Sequence, residues 1–270
     1  MTIQFPRNSP LLFILAAAVC VILVDRSAAH AQAIRQTSSG SSGTTALQAA
    51  AQKGAYLYVF FWTRDDQQTQ SMRQVFYQGV GQIDGLVDTV EVNIRESREK
   101  AIVDQLGVSR APMPLVLALA PNGAVTKGFP IGFTAEQLRQ GIASPAMANC
   151  MKALQSQKLV VLTIQNQSTP YSQTAYSSAA QFKQDARFTN STEIVTLDPA
   201  DPSEAGFLQN LKVAPGTQAA VTVVLAPPGK PIATFTGPVT KQQIVAKVTA
   251  AQSGCCPGGT CGPDGCGPPK

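Results

Sequence analysis

The chain has 270 residues, 44 % of them apolar, enough to bury a core in one large domain or in two of about 100 residues each. Only 14 % of residues are charged, against a usual ~25 %, so the surface must rely on Gln, Ser, Thr and Asn. The net charge of +5 carries no clustered basic stripe, which argues against nucleic acid as a partner.

In chain order, Arg7 is followed by the unbroken apolar run Leu11–Val24 and by Ala29-His30-Ala31, a small-x-small cleavage site. The run is short for a membrane span. Residues 1–31 therefore read as a signal peptide cleaved near Ala31, which places the mature protein in a periplasm or outside the cell. The membrane enters as a partner only if that segment stays uncleaved. Cleavage also removes His30, the one histidine, and with it Ser-His-Asp and Cys-His catalysis and histidine metal sites. Residues 32–45, rich in Ser and Gly, read as a linker, with folding beginning at Ala46.

Ala46–Lys53 is expected as a helix and Tyr56–Trp62 as a buried strand. A helix follows around Met72, Val75 and Phe76, then a strand at Leu86–Ile94 and a helix at Ser97–Leu106. After Pro112 and Pro114 come strands Leu115–Ala120 and Ala124–Phe129, joined by an Asn122-Gly123 turn, a strong hairpin signal. Thr134 and Gln137 have capping-box spacing and open a last helix. The plan then repeats. Helix Ala146–Gln157, strand Leu159–Ile164, helix Ser172–Phe188, strand Glu193–Leu197 and helix Asp201–Leu211 lead to a hairpin of Ala220–Leu225 and Pro231–Phe235 and to a closing helix at Thr240–Gln252. Residues 106–129 and 211–235 match most closely, each running from a Gly- or Lys-Val pair through proline and an apolar strand to a glycine turn. Two globular domains are expected, at 46–144 and 145–252, joined at Ser144-Pro145 without a flexible linker and followed by a Cys/Gly/Pro-rich tail at 253–270.

Val59-Phe-Phe-Trp62, and Gly107-Val108 followed by proline, strand, Asn122-Gly123 and strand, resemble the thioredoxin-like family. The resemblance implies an α/β fold: two tandem thioredoxin-like domains, each a central mixed sheet flanked by helices. It also implies a Cys-x-x-Cys pair just after the first strand, where a helix N-terminus lowers the thiol pKa. Here Thr63–Ser71 and Gln165–Tyr171 contain no cysteine, so neither copy can exchange dithiol for disulfide from that position. Asp65 and Asp66 stand where a helix N-terminus favours acidic residues, so capping is the plain reading and a carboxylate pair facing a ligand the functional one. Either Pro112 or Pro114 matches the family's cis-proline, whose loop exposes backbone groups to an extended peptide. The second copy has Gly216–Ala219 there. Trp62, Asp65, Asp66, Pro112, Met113 and Pro114 thus form the candidate peptide-binding face, with no catalytic residue assigned.

Cys255, Cys256, Cys261 and Cys266 lie on a Gly/Pro-rich tail. In an oxidising compartment they tend to cross-paired disulfides. The same thiolates can wrap a Zn or Cu ion, the only cofactor the chain suggests, or exchange with other thiols. Cys150 shares a helical face with Met147, Met151 and Leu154, the mark of a buried small hydrophobe, with a resolving thiol for the tail as the alternative. The functional expectation is an exported, redox-inactive thioredoxin-like protein that binds a protein or peptide or serves as a scaffold. The alternatives are a metal-handling protein using the tail and an oxidoreductase with its cysteines there.

Overall fold

The computed structural model describes residues 42–214 and 216–253. The expected signal peptide, most of the expected linker and the four tail cysteines lie outside the described residues.

The first half is built on β1 (Tyr56–Trp62), whose five central residues are all buried. Leu57, Val59 and Phe61 enter one core with α1 (Gly43–Lys53) and α3 (Lys100–Leu106). Tyr58 and Phe60 enter the opposite core against Phe76 of α2 (Gln67–Val80) and Leu138 of α4 (Ala135–Arg139). A strand covered on both faces needs apolar residues at every position, which is why this segment does not alternate. β2 (Val87–Asn93) runs parallel to β1, β3 (Leu115–Leu119) antiparallel on its other side, and β4 (Val125–Pro130) at the edge, in the order β2-β1-β3-β4.

The second half repeats this with β5 (Leu159–Ile164), β6 (Thr192–Leu197), β7 (Val221–Ala226) and β8 (Lys230–Thr236), in the order β6-β5-β7-β8. Its helices are α5 (Pro145–Gln155), α6 (Ser172–Lys183), α7 (Ala205–Asn210) and α8 (Lys241–Ser253). Val160, Leu162 and Ile164 face α5 and α7, whereas Val161 joins Ala175, Phe182 and Ile244 on the α6 and α8 side.

Several boundaries differ from the sequence expectation. α1 starts three residues early, inside the expected linker, because Ser42 caps it through Thr45 N–H. Gly43 is there for packing: a Cβ on it would meet Ile102 at 2.9 Å and Val92 at 3.0 Å. α6 ends at Lys183 rather than Phe188, since Asp185 turns the chain by accepting from the Arg187 N–H. The expected helices at 97–106 and 201–211 each begin with a separate 3₁₀ turn, Ser97–Glu99 and Pro202–Glu204.

These turns hold a matched pair of buried carboxylates. Glu99 and Glu204 are each only 3 % exposed. Glu99 accepts from Gly43 N–H at 2.7 Å, and Glu204 accepts from Ala146 N–H at 2.8 Å and from the Ser144 hydroxyl. Each ties the first helix of its half to the turn leading into the third. The anion satisfies main-chain donors that a helix start leaves unpaired and sits at the positive end of the helix dipole.

The halves meet without a spacer. Tyr56 donates its hydroxyl to the Ala143 carbonyl at 2.5 Å and accepts from Ala143 N–H at 3.1 Å. Gln155 of α5 makes two hydrogen bonds with the Val125 main chain, and Asn122 donates to Asn149 at 3.0 Å.

Replacing Glu204 by Ala strands Ala146 N–H and the Ser144 hydroxyl in a buried site. A stability loss of about 2–4 kcal/mol is expected in denaturant unfolding. Ser144→Ala, which removes the cap on Met147 N–H and one of the two Glu204 donors but leaves Ala146 N–H paired, is expected to lose about 1–2 kcal/mol. Equal, small losses for the two variants would show that the carboxylate carries no structural role.

Candidate functional site

At the C-terminal end of β1, the sequence-selected residues split into separate roles. Asp66 is the N-cap of α2 and accepts from Thr69 N–H at 2.9 Å, the bond that lowers its carboxyl pKa. Asp65 does not cap. It accepts from the Arg73 guanidinium at 2.8 Å, which holds its pKa below the ordinary carboxylate value. The expected capping role therefore belongs to Asp66 alone. The carboxylate pair facing a ligand does not form, because one acid is spent on the helix start and the other on an internal cation.

Arg73 closes this end further. Its Nε donates to Glu91 at 2.9 Å, and its guanidinium lies 5.5 Å from the ring centre of Trp62 and 5.6 Å from that of Phe60. Tyr77 donates to the other Glu91 oxygen at 2.9 Å, and burial, then Glu91, push its phenol pKa up. On the neighbouring strand the cis bond precedes Pro114, not Pro112. Pro114 is buried and Pro112 exposed. The pairing of Phe61 with Leu115 sets Pro114 beside Trp62 by register, while the Pro114 carbonyl already accepts from Ile131 N–H at 2.7 Å. Met113 packs on the core. Trp62, Asp65 and Pro114 thus gather at one end, with Arg73 over the tryptophan face.

An apolar concavity lies in the second half, between α5, α7 and the β7–β8 hairpin. Its volume is ≈ 500 Å³, within the range of small-ligand and side-chain pockets. Met147, Met151 and Leu154 of α5 form one wall, Phe207 and Leu211 the opposite wall, and Val223 the floor. Lys212 and Asn210 stand at the rim, both exposed.

This groove belongs to one copy. Gly43 and Ala146 are equivalent because each donates to its copy's buried glutamate. From that register Thr44, Gln48 and Ala51 stand in α1 where Met147, Met151 and Leu154 stand in α5. Gln48 and Ala51 are exposed and polar or small, so the first copy presents no such wall. Cys150 lines the groove but is buried, and burial, with the nearby Glu204 charge, pushes its thiol up to about 12. At neutral pH it is a neutral thiol and a poor nucleophile.

The sequence placed Met147, Cys150, Met151 and Leu154 on one face but read that face as core. Glu99, Glu204, Arg73 and Glu91 were missed altogether. The one available signal was the recurrence of glutamate two residues after Ser97 and Pro202. Among the described residues no group of three or more His, Cys, Asp or Glu is placed to hold a metal ion, and no helix is long and apolar enough to cross a membrane.

No family model and no curated protein matches the chain. Solved structures are similar at low identity. A mutant thioredoxin from Halobacterium salinarum is 16 % identical over 36 % of this chain and 80 % of its own, with a TM-score of 0.30. Human ERp44 is 10 % identical over 79 % of this chain and 57 % of its own, with a TM-score of 0.34, so the chain spans little more than half of that relative. The first two thioredoxin domains of Saccharomyces cerevisiae Eps1p are 9 % identical over 76 % of this chain and 95 % of theirs, with a TM-score of 0.28. The chain has the expected fold class: two mixed four-stranded sheets flanked by helices, the plan of two tandem thioredoxin-like folds. At these identities nothing about activity passes from those proteins to this one.

Trp62 is the single tryptophan, so its emission reports this end alone. Arg73→Ala is expected to red-shift that emission, raise acrylamide quenching and lower stability by about 1–2 kcal/mol. Unchanged quenching would mean that the guanidinium does not shield the ring.

Proposed function

We propose that this protein is an exported, redox-inactive thioredoxin-like binding module, and that the α5–α7 groove of its second domain takes an extended apolar segment of a partner protein. The observation that carries this is the groove itself: a concave apolar site walled by two methionines, two leucines and a phenylalanine, with Asn210 and Lys212 at the rim. Methionine walls suit partners of varied sequence, because the thioether chain is unbranched and repacks readily. The absence of cysteine at Thr63–Ser71 and Gln165–Tyr171 supports a non-catalytic role. So does the raised pKa of Cys150. Export rests on the apolar run Leu11–Val24 and the Ala29-His30-Ala31 site.

A fluorescein-labelled peptide with alternating Leu and Phe tests the reading by fluorescence anisotropy. Met147→Glu changes a half-buried wall residue, and Met151→Glu another that also packs against the buried Ala120, Ala124 and Ala148. Each is expected to weaken the peptide at least about tenfold, a loss of ~1.4 kcal/mol, while circular dichroism stays unchanged. In parallel, protein lacking the tail is expected to show no insulin reduction. Binding that survives both variants but is lost on Trp62→Ala would move the site to the first domain. Robust insulin reduction without the tail would defeat the non-catalytic reading.

A further inference from the structure

The end of the second domain that corresponds to the Trp62 end of the first is built differently. Phe61 pairs with Leu115 and Ile164 with Val221, so the next residue in each copy, Trp62 or Gln165, is the equivalent position. Gln165 N–H completes the strand by donating to the Leu197 carbonyl at 2.9 Å. Its side chain turns into a pocket of ≈ 260 Å³ between the end of β5 and the start of α6. Gln165 is 9 % exposed, and its Oε1 has no hydrogen-bond partner. A buried acceptor left unpaired is unfavourable, so a native fold that keeps one invites a donor from outside.

A second observation stands beside it. In the first domain Asp66 caps α2. In the second, the N-cap of α6 is Tyr171, in the left-handed region at φ 65° and with no side-chain cap bond. Ser172 and Gln173, the first residues of this 12-residue helix, line the same pocket; the Ser172 N–H donates to the Thr169 carbonyl at 3.2 Å, and the Gln173 N–H meets the pocket without a side-chain cap. The turn that aims them is fixed. Asn166 Oδ1 accepts from Ser168 N–H at 3.1 Å and from the Thr169 hydroxyl at 2.8 Å, and Asn166 Nδ2 donates to Asp198.

We infer that this pocket binds a neutral, hydroxyl-rich ligand, a single sugar ring. The chemistry selects it. The orphaned Gln165 acceptor requires a donor, which sulfate or a fully ionised phosphate ester lacks. The open N-terminus of α6 requires an acceptor, which an apolar ligand lacks. Every lining side chain is uncharged, so no counter-ion fixes a charged ligand. A hydroxyl both donates and accepts, and neighbouring hydroxyls on one ring reach both groups together. Tyr176, 46 % exposed on the pocket wall, presents an aromatic ring to the C–H face of such a ligand.

The test is a ¹H–¹⁵N titration of the full chain with glucose and N-acetylglucosamine, with sodium sulfate and a tetra-alanine peptide as separate arms. At about 10 mM sugar the Gln165 side-chain amide and the Gln173 and Thr174 main-chain amides are expected to shift, with neither sulfate nor peptide shifting them. Gln165→Leu is expected to weaken sugar binding at least about tenfold without lowering the thermal midpoint, since it removes an unpaired buried acceptor. Tyr176→Ala is expected to weaken it as well. No shift with either sugar, equal shifts with sulfate or peptide, or unchanged affinity in both variants would overturn the inference.

Discussion

Glu204 holds the second domain's functional geometry together. It sits in the 3₁₀ turn that opens into α7, and its two oxygens reach across to the Ser144 hydroxyl and the Ala146 N–H at the start of α5. α5 and α7 are the two walls of the apolar groove, so one buried carboxylate sets the separation between them. A free carboxylate at 3 % exposure is unfavourable, and it persists here because a helix N-terminus supplies both donors and a favourable dipole. Glu99 repeats the device in the first domain at Gly43. What differs between the copies is therefore the lining of the space that the device creates, not the device.

That difference gives the two domains unequal roles. The first uses its own residues to close its exposed end: Asp66 caps α2, Asp65 and Glu91 hold Arg73, and Arg73 covers Trp62. The second leaves both its helix start and its α5–α7 face open. The self-satisfied domain is joined directly to the open one, through Tyr56, Gln155 and Asn122. Both copies keep the same strand order, and the proposed binding face is present in one.

Much of the fold was legible because the strongest sequence signals are hydrophobic runs that burial on both faces makes continuous. β1 and β5 follow from Tyr56–Trp62 and Leu159–Ile164 directly, and the Asn122-Gly123 hairpin from turn chemistry. The groove was half legible. Met147, Cys150, Met151 and Leu154 give a clean apolar stripe, but no pattern within one helix shows whether a neighbouring hairpin covers it. The carboxylates were not legible, because a glutamate after Pro202-Ser203 reads as an exposed helix-start residue, and its burial depends on a helix 58 positions away. Asp65 misled for a related reason: adjacent acids at a helix start look alike, and only the position of Arg73, eight residues on, separates them. Gln165 gave no signal at all, since an amide after a strand is ordinary until its acceptor proves to be unpaired.

The central claim is that the second domain, through the α5–α7 groove, is the one that engages a partner. Methyl-resolved NMR of Met-labelled full chain, titrated with an apolar peptide, tests it most directly. The account predicts that the Met147 and Met151 methyls shift with the peptide while Met113, beside the first domain's proline loop, stays in place. Shifts centred on Met113, with the Met147 and Met151 methyls unmoved, would contradict it.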